Sequence, residues 1–362
     1  MKIVIIGGGI IGASVAYHLA VRGAAVTVLT DGRPGGVATV ASFAWINAAP
    51  GNARPYFELR LKGILDWHRL QHELGDRLAI NWNGSLTWTD GPAAMQTAFA
   101  EHASWGYPTS MISPAEAAKR EPSLASYPDQ AAHSPLEGSL SPSETAHVLL
   151  AAAAEQGARI SPDGVRAIIV RNGRIAGIQT AAGEISAEHV VLAAGTACKA
   201  LAADVGVTLP MANRTGFLAQ SAPLPPILNG LVLAPQAHMR QNADGRIIVG
   251  ADFAGGAAPD DEDAAAEALL ASVRGLLAHD GDGRGDDVRM ERHTLGLRPV
   301  PADGLPIIGA AAGVSGLYVT VMHSGITLAA LVGRLAAEEI LSARPVDILA
   351  PYRPERFDGS DF

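Results

Sequence analysis

The sequence predicts an α/β protein (α+β, two domains) in which a nucleotide-binding unit is interrupted by antiparallel sheet. Three observations predict this fold. A β-branched strand at the N-terminus ends in the glycine-rich residues 7–12, which open a helix. Residues 188–195 and 316–322 are further buried-type strands, far along the chain. Between them, residues 213–255 show the short, turn-bounded pattern of antiparallel strands.

The N-terminal unit is predicted from local signals. Residues 2–6 are rich in valine and isoleucine and predict a buried strand. The apolar stretch 10–22 predicts a helix that ends at Gly23, because glycine readily adopts the left-handed conformation that closes helices. Residues 24–29 predict a second strand. Strand, glycine-rich turn, helix and strand together form the βαβ unit typical of nucleotide-binding domains.

Capping and turn signals predict the later elements. Ser141, Pro142 and Glu144 match an N-cap, a first-turn proline and a capping box, so a helix is expected from Pro142. Asn-Gly and Asp-Gly pairs predict two hairpins. The predicted segments are the helix 142–158, the hairpin 164–180 turning at Asn172 and Gly173, the hairpin at Asp244 and Gly245, the helix 263–278 and the C-terminal helix 326–341.

Composition restricts the class of protein. The 362 residues carry a formal net charge of −9 and scattered arginines, so the chain lacks the basic surface that attracts nucleic acid. Cys198 is the single cysteine, which excludes an internal disulfide and fits a reducing compartment. The apolar segment 317–341 holds too many polar residues for a membrane span. We expect a cytoplasmic protein, and a peripheral membrane contact is left open.

The glycine motif predicts a pyrophosphate site. Gly7, Gly9 and Gly12 permit a tight turn, a close approach of the ligand and packing of helix on strand. Ile10 and Ile11 begin the helix, whose free N–H groups and dipole favour an anion.

The ribose-binding residue of this unit has two candidates. Such a unit normally places a carboxylate at the end of its second strand, where it binds the ribose hydroxyls. This chain has Thr30 at that position and Asp31 one residue later. Either Asp31 takes the ribose or Thr30 binds it more weakly.

No metal site is predicted. Residues 280–291 match four positions of a calcium loop, yet Arg284 occupies the fifth position, so we interpret them as a solvated acidic loop. The histidines show no metal-binding spacing. His238, His293 and His323 are candidates for a catalytic or substrate contact, against the alternative that each is a hydrogen-bonded packing residue.

Arg298 stands between Leu297 and Pro299 in a nearly uncharged segment. A guanidinium in apolar surroundings is costly unless it meets an anion. That anion is either a ligand carboxylate or an internal partner such as Glu291 or Asp303. We prefer the ligand carboxylate.

Several segments resemble the flavin-dependent amine and amino-acid oxidoreductases of the D-amino-acid oxidase, glycine oxidase and sarcosine oxidase family. The resemblance runs nearly end to end, and the segments are far more specific together than the glycine motif alone. They are IIGGGIIGASVAYHLA (5–20), ASFAWINA (41–48), VVLAAG (190–195), LPMANRTG (209–216), and GLRPVPADGLPIIG (296–309) with the trailing GLYVTVMHSGITLA (316–329).

The resemblance implies a Rossmann-like FAD-binding domain with an inserted antiparallel-sheet substrate domain. Residues 1–80, 140–212 and 292–362 would form the discontinuous FAD-binding domain, and residues 81–139 and 213–291 the substrate-binding domain. This arrangement matches the order of elements predicted above.

The resemblance also implies the site residues. Arg298 would pair with the substrate carboxylate, and His323 and His238 join it as catalytic candidates. FAD would be bound noncovalently, since Cys198 lies away from the segments that attach flavin in some relatives. The implied cofactor-binding residues are Gly7, Gly9, Ile10, Ile11, Gly12, Thr30, Asp31, Ala41, Ser42, Asn47, Val165, Ala194, Gly195, Arg298, His323, Ser324, Gly325, Ile326 and Thr327.

Two further departures from the family pattern bear on the flavin. Met322 stands where the family has glycine, and the following turn is two residues shorter, so the donors to the flavin pyrimidine edge are expected within 323–327. Ile248 stands where sarcosine-oxidase-like members place a lysine that activates oxygen.

The implied activity is oxidation of the C–N bond of a small amino acid or N-substituted amino acid. Hydride would pass to the flavin, and the resulting imine would hydrolyse. The substrate would be an amine that bears a carboxylate, and the electron acceptor would be oxygen, a quinone or a dye. Two alternatives stay open: a flavin-dependent 2-hydroxy-acid dehydrogenase, and an FAD-holding subunit of a larger dehydrogenase complex with a partner subunit.

Overall fold

A computed structural model describes residues 1–48, 51–251, 256–277 and 285–358. Asp280 and Asp282 of the acidic loop lie outside these residues. In the described ranges the α-helices are α1 (Ile10–Ala20), α2 (Arg54–Leu74), α3 (Pro92–Ser104), α4 (Pro114–Arg120), α5 (Pro142–Glu155), α6 (Cys198–Ala203), α7 (Glu262–Leu277) and α8 (Gly325–Ser342).

The strands of the same ranges form four sheets. They are β1 (Lys2–Ile6), β2 (Ala25–Leu29), β3 (Trp45–Ile46), β4 (Ile80–Asn81), β5 (Ser85–Thr87), β6 (Ser110–Ile112), β7 (Ala131–Ser134), β8 (Gly138–Leu140), β9 (Arg159–Ser161), β10 (Val165–Arg171), β11 (Arg174–Thr180), β12 (Gly183–Ser186), β13 (His189–Leu192), β14 (Met211–Ser221), β15 (Leu231–Leu233), β16 (His238–Gln241), β17 (Ile247–Gly250), β18 (Met290–Pro301), β19 (Ile307–Ala310) and β20 (Leu317–Val321).

The N-terminal unit forms a six-stranded sheet. Its order is β19-β20-β13-β1-β2-β9, and neighbours pair in parallel except β19 with β20. Ile3 and Ile5 pack against α1, α5 and α8, whereas Val4 and Ile6 pack on the opposite face against β10 and β11. Because successive side chains point to opposite faces, a strand covered on both faces must be apolar throughout.

The second large sheet has the order β18-β14-β17-β16-β15-β5-β7-β6, antiparallel apart from β15 with β5. One face packs against α7, with Ala219 and Val249 among the buried contacts. The other face presents Leu218, Leu233 and Ile248 to Phe43. The strand period of two separates these faces, so one side is core and the other is free to border a cavity.

The predicted helices, hairpins and strands are confirmed, with small shifts at their ends. Asn172 and Gly173 both have the positive φ of a tight hairpin turn, 52° and 71°. α1 ends at Ala20 and α5 at Glu155, so the predicted helices 10–22 and 142–158 are two or three residues too long.

The capping box predicted at Ser141 is wrong. Ser141 is the N-cap and Pro142 begins the helix, but the Ser141 side chain makes no capping hydrogen bond. Its ψ is 104°, against 163° at Ser113, where a complete capping box with Glu116 opens α4. The backbone rotation at Ser141 therefore carries the hydroxyl away from the helix N–H groups.

The proposed domain boundaries stay a prediction. β18 pairs with β14 as far as Pro301, so the large sheet continues past the boundary predicted at residue 292. Among the helices of the described residues, none is both long and apolar enough to cross a membrane.

Candidate functional site

A first cavity of about 500 Å³ lies at the carboxyl ends of β1, β2, β13 and β20. Ligands of open α/β sheets bind at this edge, because the loops that leave the strands meet there. The sequence-predicted residues that line it are Gly7, Gly9, Ile10, Ile11, Thr30, Asp31, Ser42, Val165, Ala194, Gly195, His323, Gly325 and Ile326.

Glycines shape the floor of this cavity. Gly7 has a φ of 113°, and a Cβ at this position would stand 2.4 Å from the carbonyl oxygen of Ala193. A Cβ on Gly12 would stand 2.0 Å from the Gly7 oxygen, so Gly12 lets α1 pack on the turn without itself lining the cavity. Gly36, which no sequence motif marks, makes a further close approach, since a Cβ at this position would stand 2.7 Å from the Gly9 Cα.

The start of α1 suits an anion. Gly9 is its N-cap and supplies no side chain, and the first turn holds no acidic residue. The Ile10 N–H donates to the hydroxyl of Thr39 at 3.1 Å, which makes Thr39 a second residue that the sequence argument missed. The helix dipole and the N–H groups at this end fit the pyrophosphate of a dinucleotide.

The structure separates the two ribose candidates. Thr30 is buried, and its hydroxyl donates to the Ser161 carbonyl at 3.1 Å. Asp31 is exposed, lines the cavity and has a φ of 51°. Its backbone N–H donates to the Asp163 carbonyl at 3.2 Å, which fixes the turn. Both residues line the cavity, but only the Asp31 side chain is exposed and has no carbonyl already occupying it as an acceptor.

A second cavity, of about 480 Å³, adjoins the first. Six residues line both: Ala38, Ser42, Leu297, Pro299, His323 and Ile326. The large sheet supplies one wall through β5, β14, β15, β16 and β18, and α2, β3 and the start of α8 supply others. The remaining predicted residues line this second cavity: Ala41, Asn47, His238, Arg298, Ser324 and Thr327.

Arg298 lies in β18, opposite Arg214 of β14. The two internal partners considered for it are engaged elsewhere. Glu291 is paired with Arg246 at 2.6 Å, and Asp303 with Arg356 at 2.8 Å.

The three histidine candidates separate in space. His323 lines both cavities and His238 the second, whereas His293 contacts Glu262 and Asp263 of α7 and lines neither. Burial, together with the smaller effect of the charges of Arg298, Arg60 and Arg214, lowers the pKa of His323 to about 4. His323 therefore presents a neutral imidazole at neutral pH.

The N-terminal turn of α8 borders both cavities. The Asn47 N–H donates to the Thr327 hydroxyl at 3.2 Å, and the Trp67 indole N–H donates to the Ile326 carbonyl at 2.8 Å. A Cβ on Gly63 would stand 2.6 Å from the carbonyl oxygen of Thr327, so α2 packs directly on this turn. Residues 323–327 are thus held from two sides, with the positive end of the helix at the cavities.

Two buried charges behind the second cavity were missed. Glu137 accepts hydrogen bonds from the Trp45 indole and the Tyr107 hydroxyl, both at 2.8 Å, and burial raises its pKa to about 7. Arg240 is 2% exposed, and its Nε donates to the Phe43 carbonyl. Both hold the 43–47 segment that lines the cavity.

Cys198 and Ile248 occupy apolar surroundings. The Cys198 thiol is fully buried, and burial raises its pKa to about 12, so it is an unreactive packing group. Ile248 is buried in the cluster of Phe43, Leu218 and Leu233.

The close-packed glycines Gly7, Gly9, Gly12 and Gly36, called the glycine cradle below, are typical of a dinucleotide-binding protein. The adjoining cavity, lined by Arg60 and Arg298, leaves room for a second ligand beside the dinucleotide. A family model described as FAD dependent oxidoreductase matches residues 2–339, and the chain belongs to that family. The predicted family, fold class and FAD cofactor are thereby confirmed.

Individual relatives are similar at moderate identity. Over 99% of this chain and 100% of the other, the structure resembles the crystal structure of glycine oxidase from Geobacillus kaustophilus, with a TM-score of 0.86 and 25% identity. A hydrogen cyanide synthase subunit of Pseudomonas aeruginosa is 27% identical over 98% of this chain and 96% of that protein.

A glycine oxidase of Pseudomonas putida is 31% identical over 53% of this chain. The match covers 52% of that protein, so the chain spans about half the length of this relative.

Proposed function

We propose that the protein oxidises the C–N bond of a small amino acid or N-substituted amino acid. The substrate lies in the second cavity, and its carboxylate pairs with Arg298. One observation carries the proposal: the cavity that contains Arg298 shares six lining residues with the cavity of the glycine cradle. A substrate held by Arg298 therefore lies next to the dinucleotide site.

The residues of the first cavity fit FAD. The start of α1 and the glycine cradle would hold the pyrophosphate, Asp31 the ribose hydroxyls, and Val165 the adenine side. Ala41, Ser42, Asn47 and the 323–327 turn would border the flavin ring. When bound, FAD accepts the hydride that leaves the substrate α-carbon.

The protein's own residues position the substrate and set its protonation. Arg298 binds a carboxylate through two parallel N–H donors and so fixes the orientation of the α-carbon. His323 is neutral at neutral pH, since its pKa is about 4, and adds no positive charge beside the amine. The apolar side chains Phe43, Leu218 and Leu233 exclude water from the wall of the large sheet. The imine product hydrolyses after release.

Anaerobic mixing of the FAD-loaded protein with amino acids, N-methylated amino acids and 2-hydroxy acids tests the proposal. Amino acids should bleach the flavin absorbance, and ammonia or a free amine should appear in proportion to the bleaching. If only 2-hydroxy acids bleached the flavin, the substrate would be a hydroxy acid and not an amine.

Acid or heat should release free FAD, as a noncovalent cofactor requires.

The residue at position 248 bears on the choice of electron acceptor. The Ile248 side chain is buried and uncharged, so it supplies no cation of its own to stabilise reduced oxygen. Its cross-strand neighbour Arg240 is buried and donates to the Phe43 carbonyl. We therefore expect reoxidation by a quinone or dye to be faster than reoxidation by air. Stopped-flow reoxidation in air as fast as turnover with a dye would contradict this.

A second candidate is a role as the FAD-holding subunit of a larger enzyme. The 27% identity to a hydrogen cyanide synthase subunit over nearly the whole chain favours it. Purification from the native source would distinguish the two roles. A partner polypeptide that copurifies and is required for flavin reduction would support the subunit role.

A further inference from the structure

Arg60 is a second guanidinium in the wall of the second cavity. It lies on α2, whereas Arg298 lies on β18, so two elements from distant parts of the chain each bring one arginine to the same cavity. The positive charges of both arginines lower the pKa of His323. The family resemblance implied a role for Arg298 but none for Arg60.

The hydrogen bonds of Arg60 go to neutral acceptors. Its Nε donates to the Asn47 carbonyl at 3.1 Å, and its Nη2 donates to the Asn47 side-chain oxygen. The ring of Tyr56 lies below the guanidinium, 5.6 Å from ring centroid to Cζ. These contacts hold the guanidinium in one orientation and leave the N–H groups of Nη1 to other acceptors.

The charge of Arg60 has no close carboxylate. Within the residues that the structure describes, no Asp or Glu oxygen lies within 4.0 Å of its guanidinium nitrogens. Glu137 acts on it electrostatically from farther away, but Glu137 is itself partly protonated near neutral pH, since its pKa is about 7. Burial lowers the pKa of the Arg60 guanidinium, because the charged group loses part of its hydration. An anion in the cavity would offset this unfavourable desolvation.

We propose that Arg60 binds a second carboxylate of the substrate, so that the preferred substrates are amines that carry two carboxylates, one on Arg298 and one on Arg60. The inference rests on the proposed function, because it names the substrate class of the same cavity. The alternative is that Arg60 only orients Asn47 and the 45–47 segment.

Redox-inert ligands separate these roles without turnover. Oxydiacetate carries two carboxylates about an ether oxygen, and methoxyacetate retains one of them. Titrated into the FAD-loaded protein by calorimetry, oxydiacetate should bind more tightly than methoxyacetate. Arg60→Gln should raise the Kd of oxydiacetate by about 30-fold or more, because it removes one partner of an enclosed charge pair. The Kd of methoxyacetate should stay nearly unchanged. Arg60→Lys should restore part of the preference, because it restores the charge.

Turnover supplies an independent comparison. N-carboxymethylglycine and its amide N-carbamoylmethylglycine have nearly the same shape and differ by one negative charge. The kcat/KM of the wild type should favour the dicarboxylate, and Arg60→Gln should remove the difference. Equal kcat/KM values of the wild type for the dicarboxylate and its amide would overturn the proposal. An equal fall in both kcat/KM values in Arg60→Gln would also overturn it.

The same experiments keep the two proposals apart. Flavin bleaching by N-methylglycine without any preference for dicarboxylates would leave the amine oxidation standing and refute the role of Arg60. A dicarboxylate preference in binding that Arg60→Gln abolishes, without bleaching by any amine, would support the role of Arg60 in binding and refute the proposed oxidation.

Discussion

The Arg298 side chain lies against Gly216 of the neighbouring strand: a Cβ built on Gly216 would stand 2.4 Å from the Arg298 Nε and 2.7 Å from its Nη2. The guanidinium keeps its position in the second cavity because residue 216 has no side chain. Gly216 lies in the LPMANRTG segment, yet the sequence pattern gave it no role. Its function follows only from the pairing of β14 with β18.

Gly216→Ala should displace the Arg298 guanidinium while leaving FAD bound. We expect kcat/KM for an amino-acid substrate to fall by about 10²-fold, since a misplacement of about 1 Å in a positioning group has effects of that size. Gly275→Ala in α7, where an added Cβ meets nothing within 4 Å, is the matched control and should change little. A Gly216→Ala protein with unaltered kinetics would show that the position of Arg298 does not matter.

Asp31→Asn should weaken FAD binding, because the amide has one uncharged acceptor oxygen in place of the two charged oxygens that a carboxylate offers to the two ribose hydroxyls. Asparagine tolerates the positive φ of this position, so the turn should persist. Fluorescence titration of FAD into the apoprotein should show a rise in Kd of about tenfold or more, the loss expected for hydrogen bonds to a charged group. Thr30→Val should instead lower the thermal midpoint and keep the FAD affinity. The reverse pattern would assign the ribose to Thr30.

Glu137 should make the protein less stable as the pH rises. Its pKa is raised from 4.5 to about 7 in the folded protein, so the unfolded chain releases its proton first and stability falls between about pH 4.5 and pH 7. The loss is on the order of 3 kcal/mol. Urea unfolding of Glu137→Gln should lack this decline, because the amide stays neutral. The exposed Glu155→Gln is the control. An identical pH dependence in wild type and Glu137→Gln would mean that Glu137 is ionised in the fold.

Local signals in the sequence predict most of the fold. The strand at 2–6, the glycines that follow it and the turn at Asn172 each depend on residues close in sequence, and each is found where expected. The helices α1 and α5 end two or three residues earlier than predicted, and the capping hydrogen bond expected at Ser141 is absent, because both features depend on packing that the sequence pattern does not show.

The walls of the site are less predictable than its floor. The motifs predict the glycine cradle and Arg298, and the structure brings these residues to two adjoining cavities. Arg60 and Glu137 belong to no motif. Arg60 lines the second cavity and Glu137 contacts Trp45 of its wall only because α2, β3 and the residues before β8, which are distant in sequence, pack together. The feature that marks both residues as part of the site is a charged side chain that is buried in the fold. The sequence does not show this feature, because burial depends on how the elements pack.

Steady-state kinetics of Arg298→Leu test whether Arg298 binds the substrate carboxylate. With an amino-acid substrate, the mutant should keep FAD and show a KM raised by about 10²-fold to 10³-fold, because loss of an enclosed, bidentate carboxylate contact costs about 3 to 5 kcal/mol. Arg298→Lys should recover only part of the loss, since a point charge cannot reproduce the planar fork. An amine without a carboxylate should react equally with wild type and mutant. Unchanged KM and kcat with the carboxylate substrate would contradict the account, and loss of FAD or of folding would make Arg298 a structural residue.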